Sequence, residues 1–118
     1  MKTRLLLLLT LILTFLASTA YADDYNAREA QRCTREAEYY QKQADGYRRE
    51  AQYYLKQAES YQREAAYYTR KGDADRARDY NRRADNALDK YKTQMRYAAN
   101  ADDKAADYLK RASRLLSR

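Results

Sequence analysis

The segment Arg35-Glu36-Ala37-Glu38-Tyr39-Tyr40 recurs as Arg49-Glu50-Ala51-Gln52-Tyr53-Tyr54, and again as Arg63-Glu64-Ala65-Ala66-Tyr67-Tyr68. The interval is 14 residues, or two heptads. Let the alanines occupy position a of a heptad abcdefg. Position a is then Ala30, Ala37, Ala44, Ala51, Ala58 and Ala65, and position d is Cys33, Tyr40, Tyr47, Tyr54, Tyr61 and Tyr68. A phase kept over six heptads is a sustained coiled-coil signal and excludes a chance helix. Ala, Glu, Gln, Lys and Arg fill most other positions, and all are strong helix formers. Gly46 falls at the outward c position, and the phase runs through it from Ala44 to Tyr47 to Ala51. It reads as a tolerated surface glycine, costing about 1 kcal/mol against alanine.

The phase breaks at Lys71-Gly72-Asp73 and a second series begins. Its a positions are Ala77, Ala84, Tyr91, Ala98, Ala105 and Ala112, and its d positions are Tyr80, Ala87, Gln94, Ala101, Tyr108 and Leu115. Gly72 suits the left-handed residue that ends a helix, and Asp73 suits the cap of the next. The pattern predicts a first helix at about 25–71, a turn at 72–73 and a second helix at about 74–116. The absence of proline and the presence of only two glycines agree with long helices.

So short a turn makes the helices antiparallel neighbours. Setting Tyr68 opposite Ala77 fixes the other layers, which run from Ala65 against Tyr80 to Tyr40 against Ala105, Ala37 against Tyr108 and Cys33 against Ala112. Most layers oppose a large side chain to a small one, as close packing requires. The flanks agree: position g of the first helix is Glu or Gln throughout, while position g of the second is Arg76, Arg83, Lys90, Tyr97, Lys104 and Arg111. An acidic row is expected to meet a basic one. The fold class expected is all-α, a long antiparallel two-helix coiled-coil hairpin with an Ala/Tyr core.

The first 22 residues are of another kind. Lys2 and Arg4 precede an apolar run from Leu5 to Leu16, and small residues lead to Ala20-Tyr21-Ala22. This is the pattern of a secretory signal peptide cleaved after Ala22. The run is shorter than the roughly 20 residues that span a bilayer, so no transmembrane segment is expected after cleavage. The expected location is periplasmic or extracellular. Cleavage removes Lys2 and Arg4 and no acid, so a formal net charge of +7 becomes +5.

One hairpin of alanine layers removes little apolar area from water. Several large side chains lie outside the a and d rows. Tyr39, Tyr53 and Tyr67 stand at c of the first helix, and Leu88, Met95, Leu109 and Leu116 at e of the second. These are the candidate interaction surface, most simply for a homo-oligomer in which two hairpins form a four-helix bundle. Lys104, Lys110, Arg111, Arg114 and Arg118 gather toward the end of the second helix. They either complement the helix dipole or form an anion-binding end. Cys33 is either a buried thiol or, in an oxidising compartment, the site of an intermolecular disulfide.

Without histidine there is no imidazole acid–base catalyst, no Ser-His or Cys-His pair and no ordinary metal cluster. No cofactor is expected, and the reading is non-enzymatic. The leading function is a structural or interaction protein of the bacterial envelope that self-associates or docks on a partner. The alternative is a basic Tyr/Arg-rich binder of polyanions or cell-wall components, with no specific nucleic acid implied. Gly72-Asp73 with Ala77, Tyr80 and Ala84 resembles the turn and second helix of a tetratricopeptide repeat, but the chain lacks the closing proline and the 34-residue period. The whole plan resembles small secreted bacterial proteins made of one heptad-patterned helical hairpin. Some of those bind metal through His-rich faces, a property this chain lacks the residues to share.

Overall fold

The computed structural model describes residues 24–117. The expected signal segment and its cleavage site lie outside the described residues, as does Arg118. Two helices make up the fold: α1, Asp24–Arg70, of 47 residues, and α2, Ala74–Leu116, of 43 residues. The chain is an all-α helical hairpin, with no strand among the described residues. The helix bounds fall within one residue of those predicted. Among the described residues, no helix is long and apolar enough to cross a membrane.

The turn follows from two residues. Gly72 adopts a φ of 80°, a region closed to most side chains. Its N–H donates to the carbonyl of Thr69 at 3.1 Å, and the N–H of Asp73 donates to that of Tyr68 at 2.9 Å. These two bonds are the Schellman closure of a helix C-terminus. Asp73 then opens α2, its Oδ1 accepting from the N–H of Arg76 at 3.1 Å and its carbonyl from that of Ala77 at 3.1 Å. Its charge also suits the positive end of the helix.

The described residues form two compact units, each with a stretch of both helices. The end unit comprises residues 24–43 and 100–117; the turn unit comprises residues 44–99. In the end unit Ala30, Cys33, Ala37, Ala105, Leu109 and Ala112 form one buried cluster, with Tyr40, Tyr108, Leu115 and Leu116 packed against it. In the turn unit every buried side chain is alanine: Ala44, Ala51, Ala58, Ala65, Ala77, Ala84, Ala87 and Ala98. All six predicted a positions of α1 are buried.

The tyrosines at d are only half-buried. The expected alternation of large against small is therefore incomplete as a description. Alanines at a hold the seam narrow, and a phenol is too large to enter it fully. The rings lie along its edge and meet one another instead. In the end unit Tyr40 stacks on Tyr108, with centroids 5.8 Å apart and planes 11° apart. In the turn unit Tyr68 stacks on Tyr80 at 5.6 Å and 6°, and Tyr61 lies 6.2 Å from the same ring.

Candidate functional site

Three adjacent tyrosine pairs are built alike. Tyr39, Tyr53 and Tyr67 project from c of α1 and are 55%, 57% and 44% exposed. Each sets its ring edge-to-face with the d tyrosine that follows it: Tyr39 with Tyr40 at 5.2 Å, Tyr53 with Tyr54 at 5.4 Å, and Tyr67 with Tyr68 at 5.1 Å. Edge-to-face contact places the positive rim of one ring against the negative face of the other. Each d ring also carries a cation from α2. Lys104 Nζ lies 5.4 Å from the Tyr40 centroid, Lys90 Nζ 5.5 Å from that of Tyr54, and the Arg76 guanidinium 5.4 Å from that of Tyr68.

The outer rings are held a second time, four residues along α1. Gln43 Nε2 donates to the Tyr39 hydroxyl and Gln57 Nε2 to the Tyr53 hydroxyl, each at 3.0 Å. Beside the turn a lysine replaces the glutamine, and Lys71 Nζ sits 5.4 Å from the Tyr67 centroid. The exposed phenols are thus ordered before any partner arrives, which lowers the entropy lost on binding.

The basic g row of α2 answers these rings rather than the acids of α1. Beyond Arg76, Lys90 and Lys104, Arg83 lies 5.2 Å from the Tyr80 centroid and Arg111 5.2 Å from that of Tyr108. Tyr97, the aromatic member of the row, packs against Tyr47 at 5.4 Å. A ring face beside the seam holds a cation without stripping water from a carboxylate. Ion pairs at i,i+3 spacing run along each helix instead: Arg32–Glu29 at 2.9 Å, Arg48–Asp45 at 3.5 Å, Arg76–Asp73 at 3.4 Å, Arg78–Asp75 at 4.0 Å, and Arg82–Asp79. The hydrogen bond and charge of Glu29 raise the pKa of Arg32 further above neutrality.

The e row of α2 is divided in its exposure. Leu109 is 2% exposed, inside the end-unit cluster, and Leu116 packs against that cluster. The α1 residues that share this cluster are the small Ala30, Cys33 and Ala37. A leucine fits where the opposite helix is so slight. Leu88 is half-buried, and of the four only Met95, at 37%, is exposed.

The basic end is likewise divided. Lys104 and Arg111 lie over Tyr40 and Tyr108, while Lys110 and Arg114 are exposed. Cys33 is a free thiol, 1% exposed among Ala30, Ala37 and Leu109. In this placement the sulfur meets another chain only if the end unit opens. Among the described residues no group of three or more Cys, Asp or Glu is placed to hold a metal ion. The turn unit has a shallow surface concavity lined by Gly46, Arg49, Glu50 and Tyr53.

No protein-family model, curated protein or solved structure matches the chain.

Proposed function

We propose that the chain is a non-enzymatic, exported interaction protein of the bacterial envelope, a coiled-coil hairpin that self-associates or docks on a partner through its exposed tyrosines. The observation that carries this reading is the bracing of Tyr39, Tyr53 and Tyr67. Large amphipathic rings, exposed yet already ordered, are the side chains that dominate binding at protein interfaces. The nearly all-alanine core supports it as well, since it leaves the hairpin much to gain from further burial. The residues from Lys2 to Ala22 support export.

Sedimentation of the exported chain over the micromolar range, with a pull-down from envelope extract, tests the reading. Association or capture that survives high salt, and is lost when Tyr39, Tyr53 and Tyr67 are replaced by serine, is the expected result. A monomer that captures nothing refutes it.

A second reading, binding of polyanions or cell-wall components, is favoured by the exposed cations laid over ring faces, Arg76 and Lys104 among them. Polyanion binding weakens steeply as salt rises, whereas apolar docking does not.

A further inference from the structure

Gly46 lies within α1 without a structural reason to be glycine. Its φ is not positive; among the described glycines only Gly72 has that property. A Cβ built on it meets nothing nearer than a guanidinium nitrogen of Arg49 at 4.0 Å, an ordinary contact. Alanine would fit and would stabilise the helix by about 1 kcal/mol. What the glycine does provide is space. It is the floor of the concavity, of about 490 Å³ and open to solvent, whose other walls are Arg49, Glu50 and the ring of Tyr53.

Each wall has a distinct chemistry. Tyr53 presents an aromatic surface held by Tyr54 and by the hydrogen bond from Gln57. Arg49 offers planar donors and Glu50 offers acceptors, on adjacent residues. The Gly46 backbone lets a ligand lie close to the helix. A stacking surface flanked by one donor group and one acceptor group, with no excess charge, matches a pyranose ring. Such a ring has an apolar C–H face and a rim of hydroxyls that both donate and accept. The carboxylate of Glu50 disfavours a phosphate or sulfate in the same place.

The repeat supplies its own comparison. Fourteen residues on, the matching quartet is Ser60, Arg63, Glu64 and Tyr67, and there Lys71 already occupies a place over the ring. Fourteen residues earlier it is Arg32, Arg35, Glu36 and Tyr39, with a long side chain at the glycine position. The empty floor belongs to the Gly46 copy.

We propose that the Gly46–Arg49–Glu50–Tyr53 concavity is a saccharide subsite that stacks one uncharged pyranose ring of a glycan chain on Tyr53. The proposal rests on the cell-wall reading above and is independent of self-association. Amide NMR of the exported chain during titration with a β-1,4-linked tetramer of N-acetylglucosamine tests it. The two glycines make this direct: the Gly46 resonance should shift at millimolar tetramer while that of Gly72 stays still. Gly46→Arg, which installs the residue of position 32, should abolish the shifts at Glu50 and Tyr53. Circular dichroism should show it as helical as the parent, so a loss of binding would not be a loss of fold. Tyr53→Ala should weaken binding about tenfold or more, and Tyr53→Phe should retain it. The proposal is overturned if the tetramer moves neither glycine, if both move together, if Gly46→Arg binds as well as the parent, or if a sulfated oligosaccharide shifts Gly46 and the neutral one does not. Sedimentation of the same variants reports on self-association separately.

Discussion

The end unit and the turn unit follow one heptad pattern and are held together differently. The end unit buries a leucine, a cysteine and four alanines in one cluster and leans Leu115 and Leu116 on it. The turn unit buries only alanine and surrounds it with half-buried tyrosines, ring-bound cations and a doubly bonded helix turn. The contrast shows what a loop closure replaces. Where Gly72 and Asp73 join the helices, little apolar area is needed to keep them adjacent. Where the paired segments lack such a joint, larger side chains take over that task.

The largest test of this contrast is Leu109→Ala. Removing Leu109, the one buried leucine among the described residues, should cost about 3 kcal/mol, read by urea unfolding. Hydrogen exchange should rise in residues 24–43 and 100–117 while residues 44–99 keep their protection. Labelling of the Cys33 thiol should accelerate in the same variant, because the sulfur shares a cluster with that leucine. Equal loss of protection in both units would mean that they do not divide as described.

Gly72→Ala should act from the other side, destabilising by about 1–2 kcal/mol because a Cβ is forced into the left-handed region. Thermal unfolding measures it, and Cys33 labelling should change little. Asp73→Ala removes the cap on the Arg76 N–H and should cost about 1 kcal/mol. The smallest effect is expected of Lys90→Gln and Lys104→Gln, one in each unit, at about 0.5 kcal/mol each. If Lys104→Gln proves much the costlier, the apolar cluster depends on its ring cation. A large effect of Lys90→Gln would show the turn unit to rely on cations where it buries no leucine.

Much of the architecture was legible because it depends on period alone. The a-position alanines, the Gly72–Asp73 turn and the outward c tyrosines follow from counting by sevens. The burial of Leu109 did not, since a wheel gives a side chain's direction and not the size of what it faces; the small Ala30, Cys33 and Ala37 of α1 were the available signal. The partners of the basic row differ from the expected acids for a related reason. On α1 the Glu/Gln row and the d tyrosines are neighbours, and a long lysine or arginine reaches either. The 14-residue spacing of Arg76, Lys90 and Lys104, equal to that of Tyr40, Tyr54 and Tyr68, carried the answer. Gln43 and Gln57 look like ordinary flank residues in the heptad, although each lies four residues after an exposed tyrosine. The Gly46 concavity depends on what surrounds a missing side chain, which no periodicity reports.

That equal spacing on opposite arms constrains how such a gene can change length. A block of two heptads lost from α1 alone would hand each tyrosine before it to the cation 14 residues nearer the turn and leave the last 14 residues of α2 without a facing helix. Removing 14 residues from each arm at once restores every pairing, because the ring on one arm and the cation on the other recur at the same interval. Shortened or lengthened versions of this hairpin that still fold should therefore differ by matched insertions or deletions on both sides of Gly72.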